Sequence, residues 1–255
     1  VTLFHQSYGE GYPLLILHGL LGASGNWHTL SRNVFSHSFA VHALDLRNHG
    51  RSPHSPSMSY AEMAGDVLEF MDAEGMETAH MMGHSMGGKV AMTFALTYPD
   101  RLGRLVVADV APRAYPPHHT SILNALRRLD LNAFDSRAAV DDALAHDITS
   151  KPIRQFLLKN LSAEPDGSFT WKMNLDAIDA NYDALSQAVE PTGIFSGDAL
   201  FIRGGDSNYV TDEDVPSIHR LFPSAQISTI SGASHWLHAE APDVFGAAVM
   251  VFLGR

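Results

Sequence analysis

Short, mostly apolar runs at residues 14–17, 39–44, 78–82 and 105–108 alternate with amphipathic stretches at 26–36, 60–73 and 86–98. A strand covered by helices on both faces reads as such a run, because neither row of side chains meets water. Strand, helix, strand, helix in that order confines the chain to an α/β fold with a doubly wound, mostly parallel sheet. Residues 1–8 also read as a strand.

After Asp109 the alternation stops. Residues 111–191 carry helical periodicity with no convincing strand, as in Ile122, Leu123, Leu126 and Leu129, or Phe156, Leu157, Leu158 and Leu161. Alternation resumes with a strand at 199–202, a helix at 212–221, a strand at 226–230 and a last helix at 242–253. The expected organisation is a core of residues 1–110 and 192–255, with a helical cap, 111–191, inserted between two neighbouring core strands. A chain of 255 residues suits one large domain with such an insertion.

Composition removes several function classes. With 45% hydrophobic residues the chain buries a core, so extensive disorder is excluded. A formal charge of −11 opposes nucleic acid and anionic lipid, so neither is an expected partner. No apolar run reaches the roughly 20 residues of a membrane span. The absence of cysteine excludes disulfides, zinc–thiolate sites and thiol nucleophiles, and fits a reducing, cytoplasmic setting. The chain opens on Val1 rather than Met, which leaves a trimmed upstream segment open.

The chemistry concentrates in Gly83-His84-Ser85-Met86-Gly87, a G-x-S-x-G between a strand and a helix. In that context the pentapeptide is a nucleophile elbow, in which a sharp turn lifts the serine hydroxyl above the sheet edge. The following helix aims its first amides at developing negative charge. His18-Gly19-Leu20-Leu21-Gly22 follows the second strand, so the Leu20 and Met86 amides are the expected oxyanion hole. Of fifteen histidines, His235 is the candidate base, in a loop on the same sheet edge as Ser85. His84 is expected to pack locally. The pairs His118/His119 and His235/His238 lack the two-histidine-plus-carboxylate helix of a metal site, so no metal is expected.

With His18-Gly19, the elbow, Asp45-Leu46-Arg47-Asn48-His49-Gly50-Arg51-Ser52 and Gly232-Ala233-Ser234-His235-Trp236 in view, the chain resembles the α/β-hydrolase superfamily. The Arg47-Asn48-His49-Gly50 form, Gly87-Gly88-Lys89 and Asp109-Val110-Ala111-Pro112 are more narrowly similar to bacterial YbfF-type esterases. Most of the superfamily keeps its acid in the loop after residues 199–202, where Asp206 lies. The YbfF resemblance instead implies Asp109 as the acid, with Ser207 assisting the histidine. Asp109 is favoured and Asp206 is the alternative; geometry, not chain order, decides such a site. Asp45 and residues 47–50 are expected to brace a turn beside it.

The expected activity is that of a serine carboxylesterase on short- to medium-chain acyl esters, through an acyl-enzyme and without a cofactor. Coenzyme A thioesters are a further substrate class implied by the resemblance, with Arg113, Arg127, Arg128, Lys151 and Arg154 as candidate phosphate contacts. Ser85 at the elbow excludes haloalkane dehalogenases and epoxide hydrolases, which use aspartate there. Carbon–carbon bond hydrolases, cofactor-free haloperoxidases and hydrolase-fold small-ligand binding proteins share the serine constellation and stay open. No motif encodes the acyl length or the oligomeric state.

Overall fold

The computed structural model describes residues 1–254. Strands β1 (His5–Tyr8), β2 (Tyr12–Leu17), β3 (Phe39–Leu44), β4 (Ala79–His84) and β5 (Leu102–Ala108) are laid down first. Helices α1 (His28–Asn33), α2 (Tyr60–Ala73) and α3 (Met86–Thr97) connect them. Within residues 111–191 lie α4 (Thr120–Arg128), α5 (Arg137–Leu144), α6 (Lys151–Leu158), β6 (Leu161–Ala163), β7 (Phe169–Trp171), α7 (Leu175–Ala180) and α8 (Tyr182–Ser186). The chain then returns through β8 (Ala199–Gly204), α9 (Val215–Leu221), β9 (Ala225–Ile230), α10 (Leu237–Glu240) and α11 (Pro242–Leu253).

The main sheet has seven strands in the order β1-β3-β2-β4-β5-β8-β9, parallel throughout except for β1 against β3. The order reverses between β2 and β4, so the loops after these two neighbouring strands diverge and leave a crevice at the sheet's carboxyl edge. His18-Gly19 and Ser85 occupy those two loops. β5 and β8, which flank the insertion in sequence, pair directly in the sheet.

Side chains alternate across each strand as the pleat requires. Leu15 and Leu17 join the core cluster with α2 and α3, whereas Leu14 and Ile16 join the one with α1 and α11. Helix α2 starts at a capping box in which Ser59 accepts from the Glu62 amide while the Glu62 carboxylate accepts from the Ser59 amide.

Two expectations need correction. Residues 111–191 are not strand-free: β6 and β7 form an antiparallel hairpin pairing Leu161 with Trp171 across a Glu164-Pro165-Asp166-Gly167 turn. The single helix expected over 26–36 is broken into α1 and flanking 3₁₀ turns, because Val34 leaves helical backbone (φ −123°, ψ −64°) and Phe35 is fully buried.

Candidate active site

Ser85 stands between the last residue of β4 and the first of α3, at φ 53° and ψ −118°. A non-glycine residue there stores strain, of the kind proteins keep at functional sites. The turn closes because residues 83 and 87 lack side chains. A Cβ on Gly83 would lie 2.1 Å from the Gly87 carbonyl oxygen, and one on Gly87 would lie 2.4 Å from that of Leu17.

Two cavities meet at Ser85. One, of about 450 Å³ including its mouth, is lined by Leu20, Tyr60, Met86, Lys89, Tyr115 and Tyr209 among others. The other, of about 390 Å³ on the same measure, is lined by His18, Gly19, Trp27, Phe156, His235 and Trp236 among others. Trp236 and Phe156 stack obliquely at 4.5 Å and form part of its wall, whereas Phe201 is fully buried in the core.

His235 shares the second cavity with Ser85, and its Nδ1 donates to Asp109 Oδ2 at 2.7 Å. Asp109 is wholly buried and sits at φ 49° just past β5. Its Oδ1 accepts from the Gly204 amide at 3.0 Å, and its Oδ2 also accepts from the Ser207 hydroxyl. Asp206 lies elsewhere: it is exposed, its amide donates to the Ala233 carbonyl, and its carboxylate has no hydrogen-bond partner among the described residues. Ser85, His235, Asp109 and Ser207 are thus brought to one edge, and Asp206 is left outside.

His84 does pack locally, and it also acts on the neighbouring loop. Its Nε2 donates to the His235 carbonyl at 2.9 Å, while burial and the adjacent His238 hold its pKa far below that of a free histidine. Tyr209 stacks on the His235 ring at 3.8 Å. The Tyr209 and His84 contacts carry no local sequence pattern, because each depends on loops from distant strands.

The loop after β2 is held by residues 45–50. Asp45 accepts from the amides of Ser24 and Arg51, at 2.6 and 2.8 Å. His18 Nε2 accepts from the Leu46 amide and His49 Nε2 from the Leu21 amide, at 3.0 and 3.1 Å. Both rings must be neutral at Nε2 to do this. Burial lowers the pKa of each, that of His49 to about 3. The segment 111–191 ties into the same region, since Asn160 Nδ2 donates to the Leu21 carbonyl at 2.7 Å and the Asn174 amide to that of Asn48 at 2.9 Å. Among the described residues, neither the Leu20 nor the Met86 amide donates to a protein acceptor. Both residues line the cavity at Ser85.

Four of the five candidate phosphate contacts are already neutralised: Arg113 by Asp214, Arg127 by Asp176 and Asp179, Arg128 by Asp147, and Arg154 by Asp141. His119 Nδ1 meets the Tyr182 hydroxyl, His118 is exposed, and His238 stacks on Trp27. Among the described residues no three His, Asp or Glu side chains converge as a metal set. Among the same residues no helix is long and apolar enough to cross a membrane.

A mostly parallel sheet with its serine elbow at the switch point defines an α/β hydrolase. The family model for the α/β hydrolase fold matches residues 12–242, and the chain belongs to that family. Its relatives include proteins named as esterases and lipases. It is 36% identical to the sn-1-specific diacylglycerol lipase ABHD11 of Danio rerio, over 96% of this chain and 79% of that one. It is 32% identical to the esterase YbfF of Escherichia coli, over 97% and 95% of the two chains, as the motifs of residues 47–50 and 109–112 lead one to expect. A solved structure described as a marine microorganism esterase superposes with a TM-score of 0.96 at 40% identity, covering 99% of both chains.

Proposed function

We propose that the protein is a serine carboxylester hydrolase for short- to medium-chain acyl groups, working through an acyl-enzyme. The observation that carries this reading is the buried carboxylate of Asp109 accepting from His235 Nδ1 at 2.7 Å, with His235 sharing a cavity with the strained Ser85. Asp109 fixes the tautomer that leaves His235 Nε2 free to take a proton and stabilises the imidazolium that results. Ser85 attacks the acyl carbonyl as His235 takes its proton, and the tetrahedral oxyanion is held by the Leu20 and Met86 amides, which are free to donate. The C–O bond breaks and the alcohol leaves with the proton from His235. Water then attacks the acyl-enzyme with His235 again as base, releasing the acid and restoring Ser85.

Ser207 supports Asp109 in this scheme by donating to the oxygen that also faces His235, holding the carboxylate in orientation. The first cavity, walled by Leu20, Met86 and four tyrosines among others, suits the acyl chain. The ion pairs on Arg113, Arg127, Arg128 and Arg154 argue for a simple ester over a leaving group that needs free phosphate contacts. The test is steady-state turnover of p-nitrophenyl butanoate. Sustained multiple turnover that vanishes in a folded Ser85→Ala variant supports the hydrolase, whereas a single stoichiometric burst would favour a ligand-binding protein on the same fold.

A further inference from the structure

Lys89 stands in the wall of the cavity assigned above to the acyl chain, and it is 2% exposed. Lys89 and Ser85 line the same cavity, and the Lys89 amide donates to the Ser85 carbonyl at 3.1 Å, closing the first turn of α3. The ammonium group donates to one acceptor, the Gln187 carbonyl, and lies 4.9 Å from the Tyr115 ring and 5.4 Å from that of Tyr60. Neither phenol supplies a counter-charge: burial raises both pKa values, and each hydroxyl is spent on a backbone carbonyl, Tyr60 on Leu185 and Tyr115 on Tyr209. Among the described residues no carboxylate reaches Lys89, although the chain has 28 acidic side chains. Burial, and secondarily the Arg113 guanidinium, which lies 4.1 Å from the Tyr115 ring and is itself paired with Asp214, lower the lysine pKa to about 8.

A buried ammonium with one hydrogen bond, no counter-ion and unused donors is costly unless something negative completes it. Lys89 retains two N–H donors and borders space that a ligand can enter. We propose that Lys89 is an anion subsite of the acyl cavity and that the preferred acyl groups end in a carboxylate, making the substrates half-esters of short dicarboxylic acids. This rests on the hydrolase reading above. The cavity, about 450 Å³ including its mouth, holds only a short diacid chain, so half-esters with about two to four methylenes bracket the spacing between distal carboxylate and reacting carbonyl. The reaction stays an ester hydrolysis: the acyl C–O bond breaks, water supplies the new oxygen, and a free dicarboxylate leaves with the alcohol. The overall charge of −11 works against approach of an anion, so the preference must arise inside the cavity.

The experiment compares kcat/KM at neutral pH for monoethyl succinate, glutarate and adipate with that for ethyl butanoate, pentanoate and hexanoate, in the wild type, Lys89→Gln and Lys89→Met. The wild type is expected to favour at least one half-ester over its neutral partner by about tenfold or more. Both variants should lower that ratio by about 10–100-fold, as loss of a charge-assisted contact does. Because the readout is a ratio within one preparation, a partly inactive variant still reports it. If neither variant folds, inhibition of the wild type decides, with free glutarate expected to bind more tightly than pentanoate. Turnover of the neutral esters with the half-esters rejected, or a ratio unmoved in both variants, or pentanoate binding more tightly than glutarate, overturns the subsite while leaving the serine hydrolase standing. Absence of turnover on both series overturns both.

Discussion

Replacing Asp109 by Asn tests the acid assignment with almost no change in shape. In the wild type one carboxylate oxygen accepts from the Gly204 amide, and the other accepts from both His235 Nδ1 and Ser207. An asparagine amide cannot accept on both sides. Turned one way, its NH2 group faces His235 and Ser207; turned the other, it faces the Gly204 N–H. The first orientation favours the imidazole tautomer with its proton on Nε2, which cannot act as base toward Ser85. The second leaves two buried donors opposed, costing about 1–3 kcal/mol of stability. Either way the imidazolium loses its buried anion. The expected fall in kcat on p-nitrophenyl butanoate is about 10³–10⁴-fold, or about 4–5.5 kcal/mol of transition-state stabilisation. The assay pairs initial rates with circular dichroism and thermal melts, so that lost activity is read only from folded protein. Asp206→Asn, changed at an exposed carboxylate with no partner, should keep most of the wild-type rate. An Asp109→Asn enzyme retaining more than about a tenth of kcat, beside an Asp206→Asn enzyme crippled by about 100-fold, would refute the reasoning.

Other outcomes follow from the same contacts. Ser207→Ala removes one donor from Asp109 but leaves His235 in place, so kcat should fall by about 5–30-fold with little change in melting temperature. Gly87→Ala drives a methyl group into the Leu17 carbonyl and should cost about 2–4 kcal/mol in urea unfolding; a neutral result would contradict the elbow's steric account. Arg47→Met leaves the nearly buried Asp66 without its bidentate partner, held at 2.6 and 2.8 Å, and should destabilise the fold by about 3–5 kcal/mol in the same assay. His49 and His238 each have a folded pKa lowered to about 3, chiefly by burial, against the ordinary 6.5. The unfolded chain therefore binds more protons between those values, so their stabilisation is complete above about pH 6.5 and is lost as pH falls toward 3. Melting temperature should drop between about pH 7 and 5, before most carboxylates titrate, and a flat profile would contradict the buried, neutral rings.

Much of the core was legible because helices cover both faces of the sheet, which turns each central strand into a short apolar run. The β6–β7 hairpin was not, since strands of three residues carry too few side chains to show a period of two, even with Asp166-Gly167 marking the turn. The elbow was legible because its glycine spacing is a steric requirement that survives in sequence. The acid was harder: Asp109 and Asp206 both follow core strands, and which carboxylate meets His235 depends on where the loops after β5, β8 and β9 converge. Lys89 was opaque for the opposite reason. A lysine on a helix ordinarily reads as solvent-facing, and only the packing of Tyr60, Tyr115 and Gln187 over α3 buries it.

The most direct measurement is peptide mass spectrometry after reaction with a fluorophosphonate, comparing the wild type with Ser85→Ala and His235→Ala. The account predicts one phosphonyl adduct on the peptide containing Ser85, none in Ser85→Ala, and much slower labelling in folded His235→Ala. A folded wild-type protein that takes no adduct at Ser85, or labels equally fast without the imidazole, would contradict it.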